Sequence, residues 1–217
     1  MTGSNALRTM MVDTQIRPSD VTKFPIIAAM LDVEREAFVP QSAQSVAYMD
    51  APVRLVDGRE MMEARTFAKL LDALDVALDD QVLIIGGGLG YSAAVLARMA
   101  ESVVMVEEDA GLAEDAEAAL ATQDVTNAVV LQSPLVDGAA KAGPYDVILI
   151  EGGVEEVPDA LLDQLHDAGR IAALFQTGQL GEARIGHRIE GRVSWRFAFN
   201  AAAPVLPGFA AQRGFTL

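Results

Sequence analysis

The stretch that decides the fold is VLIIGGGLGYSAAVLA, residues 82–97. A short apolar run leads into Gly86, Gly87 and Gly88, a fourth glycine follows at Gly90, and the residues after it read as a helix. Glycine lets the backbone turn tightly and lets a ligand approach where a Cβ atom would otherwise stand. The stretch therefore predicts a strand, a tight turn that can hold a ligand, and a helix.

Five short apolar runs follow one another from residue 81, and helical patterns separate most of them. The predicted strands are residues 81–85, 102–107, 128–132, 145–150 and 169–175, and the predicted helices are residues 91–100, 112–122 and 158–165. Continuous apolar strands that alternate with helices indicate a doubly wound, mostly parallel α/β sheet that is covered on both faces.

The end of the chain narrows the fold class. After the fifth strand the alternation stops, and residues 183–199 predict an antiparallel hairpin that turns at Glu190-Gly191. Common dinucleotide-binding sheets do not end in this way, whereas the Rossmann-like sheets of class I methyltransferases do. We therefore predict a class I methyltransferase fold with a C-terminal antiparallel hairpin.

The first part of the chain carries a different, mostly helical pattern. An apolar stripe from Phe67 to Leu74 marks a helix predicted over residues 66–78, and Ser19 or Asp20 is predicted to cap an earlier helix. We expect one compact unit in which residues 1–78 form a helical N-terminal extension with a substrate loop. Residues 79–217 form the ligand-binding domain in this prediction.

Composition excludes several classes of function. The 217 residues carry a formal net charge of −15, which repels phosphate backbones and anionic lipid surfaces, so we predict neither a nucleic acid nor a membrane as partner. The absence of cysteine rules out thiolate chemistry, and the two histidines lack spaced partners, so no metal site is predicted. Because no signal-peptide pattern opens the chain, we expect a cytoplasmic protein.

The glycines fit two cofactor motifs. Gly86, Gly88 and Gly90 fit G-x-G-x-G, a turn that holds S-adenosylmethionine, whereas Gly88, Gly90 and Ala93 fit G-x-G-x-x-A, the pyrophosphate turn of nicotinamide binders. Glu107 closes the second strand, about 20 residues beyond the glycines, where a carboxylate accepts hydrogen bonds from ribose hydroxyls in either case. The terminal hairpin and the short stretch after the fifth strand favour S-adenosylmethionine.

Further segments match, in order, the motifs of one known family. They are MVDTQIR at residues 11–17, VEREAFVP at 33–40, AYMDAPVRL at 47–55, VVMVEED at 103–109 and YDVILIEGG at 145–153. With the glycine stretch, these segments resemble the protein-L-isoaspartate O-methyltransferase family over most of the chain. The resemblance implies S-adenosylmethionine as cofactor, bound by Gly86, Gly87, Gly88, Gly90 and Glu107. It also implies a protein or peptide substrate whose L-isoaspartyl carboxylate is methylated.

The departures from the family pattern lie around the expected site. The family's substrate loop, G-x-T-x-S-Q-P, corresponds to residues 58–64, GREMMEA, so that Met62 replaces its serine. Ile84 replaces the acidic residue that closes the first strand, and Pro134 replaces the aspartate beside the adenine. Glu151 follows the fourth predicted strand, where related methyltransferases place substrate-handling residues, and is the one candidate for a catalytic residue.

These substitutions remove polar contacts, but they do not remove a group that methyl transfer itself requires. A carboxylate with a pKa near ~4 is already ionised at neutral pH, so its methylation depends on positioning and water exclusion rather than on a strong base. Each lost contact costs on the order of 1 kcal/mol. The sequence predicts a divergent isoaspartyl methyltransferase. The alternatives are an inactive cofactor-binding relative and a small NAD(P)-dependent oxidoreductase.

Overall fold

A computed structural model describes residues 3–211 and contains one large mixed sheet. Its seven strands lie in the order β5-β4-β3-β6-β7-β8-β9, with β3 to β7 parallel and β8 and β9 antiparallel. The strands are β3 Gln81–Ile85, β4 Ser102–Glu107, β5 Ala128–Gln132, β6 Tyr145–Val154, β7 Leu165–Thr177, β8 Leu180–Ile189 and β9 Arg192–Asn200. The predicted α/β class with its terminal hairpin is confirmed.

Helices flank this sheet and fill the N-terminal part of the chain. They are α1 Gly3–Met11, α2 Phe24–Asp32, α3 Ala64–Leu74, α4 Tyr91–Leu96, α5 Ala110–Thr122 and α6 Asp159–Leu162. None of the helices within residues 3–211 has the length and apolar character needed to cross a bilayer.

The predicted substrate loop, residues 58–64, forms the turn and the second strand of a β-hairpin and then leads into α3. Strands β1 (Val53–Val56) and β2 (Arg59–Met61) pair antiparallel in a sheet of their own. The turn between them is Asp57-Gly58, where Gly58 has a φ of +72° that glycine adopts without a Cβ penalty. The N-terminal part is therefore not helical throughout.

Several predicted boundaries were wrong for identifiable reasons. Neither Ser19 nor Asp20 caps α2: the Ser19 hydroxyl donates to the Gln15 carbonyl at 2.8 Å, and Asp20 ends a preceding turn with a φ of +65°. Helix α2 instead begins near Pro25, whose fixed φ suits a first helical turn. Helix α3 ends at Leu74 because Asp75 takes a left-handed φ of +52°.

Strands β6 and β7 are longer than predicted, and the helix between them is shorter. Residues 151–154 continue β6, so Glu151 lies within the strand rather than after it. The helix predicted over residues 158–165 shrinks to the single turn Asp159–Leu162, because β7 already begins at Leu165.

The core has two halves, one on each face of the sheet. Successive side chains of a strand point to opposite faces, so Ile84 and Leu149 face α2, α3 and α4, whereas Ile85 and Ile150 face α6 and the C-terminal segment. N-terminal residues share the first half with the sheet. The boundary predicted at residue 78 is not marked by a separate core, and it stays a prediction.

One ionic contact ties the N-terminal helices to the sheet. Arg170 of β7 donates from Nε to the Leu74 carbonyl at 2.8 Å and from Nη2 to the Asp75 carbonyl at 3.0 Å and the Asp80 carboxylate at 2.5 Å. Asp80 is only 6% exposed, so its carboxylate depends on this partner. The contact fixes the C-terminal end of α3 against the strand.

We expect Arg170→Ala to lower the free energy of unfolding by about 1–3 kcal/mol, because it takes a donor from two carbonyls and leaves the buried Asp80 carboxylate with only the Ala77 N–H as partner. Urea denaturation followed by circular dichroism measures this change. Arg192→Ala, which removes an exposed arginine of β9, serves as the control and should change the midpoint little. Equal midpoints for the two variants would contradict the structural role given to Arg170.

Candidate active site

The glycine turn after β3 takes the tight form that the sequence predicted. Gly86, Gly88 and Gly90 have φ values of +75°, +57° and +92°, which side chains with a Cβ rarely adopt. The Gly86 N–H donates to the Val106 carbonyl at 2.8 Å, which holds the turn beside β4. A Cβ on Gly87 would overlap the sulfur of Met105, so this glycine leaves room for the Met105 side chain.

Glu107 lies at the end of β4, directly beside this turn, and is 0% exposed. Its carboxylate accepts hydrogen bonds from three backbone N–H groups: Gly88 at 3.0 Å, Glu108 at 2.9 Å and Asp109 at 3.2 Å. The carboxyl ends of neighbouring parallel strands meet at one edge of the sheet, which explains why two segments so far apart in sequence come together.

Arg59 of the β1–β2 hairpin makes a forked ion pair with the same carboxylate. Its Nη1 and Nη2 donate to Oε1 and Oε2 of Glu107 at 2.7 Å and 2.6 Å, and Nη2 also donates to the Gly86 carbonyl at 2.8 Å. Arg59 is 6% exposed, so the pair is buried. The sequence analysis missed this residue, because it treated residues 58–64 only as a substituted substrate loop.

The pair leaves Glu107 without free acceptor capacity. Five N–H groups donate to its two oxygens. A carboxylate offers roughly four lone-pair positions, so every one is already in use. Two ribose hydroxyls have no acceptor on Glu107 while Arg59 remains in place.

Apolar side chains fill the space beside the ion pair. Leu55 of β1 packs on Gly88, and Leu206 from the C-terminal segment packs on Gly86 and Gly152. The cavity that remains between the hairpin and the glycine turn measures about 10 Å³. That volume holds about one water molecule, whereas sites for small organic ligands usually measure roughly 300–1,000 Å³.

In this conformation the residues therefore do not fit an adenosyl cofactor. The backbone that would receive it is formed, but the chain's own Arg59, Leu55 and Leu206 stand against that backbone. The predicted roles of Gly86, Gly87, Gly88, Gly90 and Glu107 in cofactor binding stay predictions.

A second polar group lies behind the cavity. Glu151 of β6 accepts a hydrogen bond from the Ser92 hydroxyl at 2.7 Å. The guanidinium carbon of Arg35 lies 4.7 Å from the ring centroid of Tyr91. Within residues 3–211, Arg35 Nη1 and the Tyr91 hydroxyl are buried and have no hydrogen-bond partner. The guanidinium therefore lies against the Tyr91 side chain, and the two groups form one buried polar pair near Glu151.

Burial raises the pKa of the Glu151 carboxyl to about 7. The Ser92 hydrogen bond and the charges of Arg59 and Arg35 lower this pKa, whereas Glu107 raises it, and desolvation outweighs the lowering contributions. Glu151 consequently changes charge near neutral pH, which an exposed glutamate does not do.

The other substituted positions have become structural. Met62 is buried, and its carbonyl accepts from Arg35 Nη2 at 2.6 Å. Ile84 is fully buried in β3, and Pro134 begins a short turn over Leu135–Asp137. None of these three side chains offers a polar group to a ligand, as the sequence predicted.

Comparison with known proteins decides the family. A family model described as protein-L-isoaspartate(D-aspartate) O-methyltransferase matches residues 7–191. The chain belongs to the protein-L-isoaspartate O-methyltransferase family. Its relatives include the protein-L-isoaspartate O-methyltransferase of Methanoculleus marisnigri, which is 36% identical over 76% of each chain. That of Koribacter versatilis is 32% identical over 89% of this chain and 87% of its own.

Solved structures of this family share the fold. One protein-L-isoaspartate O-methyltransferase superposes with a TM-score of 0.82 at 23% identity, covering 94% of this chain and 66% of that longer chain. A relative from Plasmodium falciparum, crystallised with S-adenosyl-L-homocysteine, superposes with a TM-score of 0.79 at 16% identity. The match covers 95% of this chain and 99% of that chain. Membership of this family favours the G-x-G-x-G interpretation of the turn over the nicotinamide alternative.

The pKa of Glu151 leads to a stability prediction. The folded pKa of about 7 lies above the ordinary value of 4.5, so the folded state prefers the neutral acid and must carry a charge on a partly buried side chain above pH 7. Between pH 4.5 and 7 the wild-type chain therefore loses stability relative to Glu151→Gln, by an amount on the order of 2 kcal/mol.

Urea denaturation of both chains at pH 5 and pH 8 measures the difference. We expect the free energy of unfolding of Glu151→Gln to rise relative to that of the wild type between pH 5 and pH 8. The titration of all other groups contributes equally to both chains and cancels in this difference. A difference in stability that does not change with pH would show that the Glu151 carboxyl is not desolvated.

Proposed function

We propose that this chain is a cytoplasmic, S-adenosylmethionine-dependent methyltransferase that methylates the carboxylate of L-isoaspartyl residues in damaged proteins. The observation that carries the proposal is the family match over residues 7–191, which extends through the glycine turn and Glu107. The named relatives at 36% and 32% identity support it.

On the donor side, the proposal assigns cofactor binding to Gly86, Gly87, Gly88, Gly90 and Glu107. When bound, S-adenosylmethionine supplies an electrophilic methyl group. The glycine turn presents backbone without Cβ atoms, and Glu107 presents a fixed, fully buried carboxylate. The residues that must give way are Arg59 and Leu55, which belong to one hairpin, and Leu206 of the C-terminal segment.

On the acceptor side, the proposal gives Glu151 a role in handling the substrate. An isoaspartyl carboxylate is ionised at neutral pH and needs orientation rather than deprotonation. A Glu151 that is neutral below pH 7 can donate a hydrogen bond to it, and Glu151 and Tyr91 both line the cavity. Met62 supplies no such bond, so these groups take the place of the family serine.

The second candidate is a non-catalytic member of the family, which would not methylate a substrate. The observation in its favour is the saturation of Glu107 by Arg59, together with the apolar Met62 at the serine position. It predicts a chain with the family fold that transfers no methyl groups under any condition.

The test is transfer of a labelled methyl group to a peptide that contains one isoaspartyl residue, at high enzyme concentration. The same peptide with an ordinary aspartyl linkage is the substrate control. We expect a base-labile methyl ester on the isoaspartyl peptide alone. Removing a charged acceptor in Glu107→Ala should reduce the rate by about 10–100-fold, since such a hydrogen bond contributes about 1.5–3 kcal/mol.

Glu114→Ala, which changes an exposed glutamate of α5, is the matched variant and should leave the rate unchanged. If neither peptide is labelled, the non-catalytic relative becomes the better description.

A further inference from the structure

Among the side chains that close the cofactor site, Arg59 is the one that also occupies the Glu107 carboxylate. We propose that Arg59 is an internal latch that competes with the ribose of the cofactor for the Glu107 carboxylate. In this view the β1–β2 hairpin holds the site shut, and a nucleoside with two vicinal hydroxyls enters only when Arg59 leaves. The inference rests on the proposed function, because it concerns access to the same site.

The donors on Glu107 show why the two occupants exclude each other. Three of its five donors are backbone N–H groups, which the fold fixes in place. The other two belong to the Arg59 guanidinium. A vicinal diol offers two O–H donors, so ligand entry exchanges two side-chain donors for two hydroxyl donors. Both sets cannot bind at once, because the carboxylate has roughly four acceptor positions.

Arg59 also blocks the turn itself. Its Nη2 donates to the Gly86 carbonyl, and a Cβ placed on Gly86 would lie 3.2 Å from the same nitrogen. The guanidinium therefore lies against the backbone that a ligand would have to approach. Leu55 closes the neighbouring surface of Gly88 from the same hairpin. One movement of the hairpin would remove both Arg59 and Leu55, and Leu206 would then be the remaining side chain against Gly86.

The hairpin is built so that it can detach without opening the core. Its two short strands pair only with each other and not with the seven-stranded sheet. The tip residues Asp57 and Gly58 and the side chain of Arg54 are exposed. Val53 and Met61, at the opposite end, are buried and remain as anchors. In a chain of net charge −15, a released arginine finds a favourable solvent-exposed environment.

The experiment is a calorimetric titration of S-adenosylhomocysteine into the wild-type chain and three variants. Arg59→Met removes the two donors and keeps the length of the side chain. Leu55→Ala loosens the hairpin without touching the ion pair. Arg54→Ala, in the same hairpin, removes an exposed arginine and is the matched control.

We expect the wild type and Arg54→Ala to bind weakly and to the same extent. Arg59→Met should bind at least about 10-fold more tightly, because a closed state lowers the apparent affinity by the fraction of open molecules. Leu55→Ala should bind more tightly than the wild type by a smaller factor. A 2′-deoxy analogue should lose this gain in Arg59→Met, since it offers one hydroxyl fewer to Glu107.

Three results would overturn the latch: micromolar binding by the wild type, equal affinity in all four chains, or no binding in any of them. Failure of the proposed function is a separate result. If Arg59→Met gains affinity for S-adenosylhomocysteine but no chain labels the isoaspartyl peptide, the latch stands and the proposed acceptor is wrong.

Discussion

A carboxylate can accept only a few hydrogen bonds, and in this protein that limit governs the site. Glu107 gathers donors from the glycine turn, from the start of α5 and from the β1–β2 hairpin. Three segments that are distant in sequence thereby meet at one buried group. Any occupant of the site has to satisfy the same two oxygens, so a ligand and the hairpin are alternatives rather than neighbours.

The choice of arginine at buried positions follows from the same chemistry. A guanidinium presents a flat set of donors that can bind a carboxylate and a carbonyl together, which a lysine ammonium cannot do with the same geometry. Arg59 uses this to bind Glu107 and Gly86, and Arg35 uses it to bind the carbonyls of Ala47 and Met62. Removing water from such groups costs free energy, which explains why each is surrounded by carbonyls or by an opposite charge.

Much of the fold could be predicted because its signals are local. The strands β3, β4 and β5 are apolar runs between turns, and their observed ends match the predicted ones. The position of Glu107 beside the glycines follows from the parallel order of those strands.

The role of Arg59 could not be predicted, since its partner lies 48 residues away and its strand is only three residues long. One rule could have indicated it: a buried carboxylate in an acidic chain must find a cation, and few arginines lie near the turn. The extension of β6 from Glu151 to Val154 was missed because it depends on distant segments. Gly153 and Val154 pair with β7, and Gly153 also pairs with residues near the C-terminus.

The contact of Arg170 with the end of α3 has a consequence for the order in which the chain is made. Arg170 is joined to the Leu74 carbonyl, 96 residues earlier in the chain. A ribosome that has released α1 to α3 has therefore not yet made the strand to which they attach. During synthesis α3 can pack first on the N-terminal helices already made, and its contacts with β7 form only after that strand has left the ribosome. The N-terminal part of the chain therefore cannot complete its fold ahead of the rest, unlike a domain that folds as soon as it emerges.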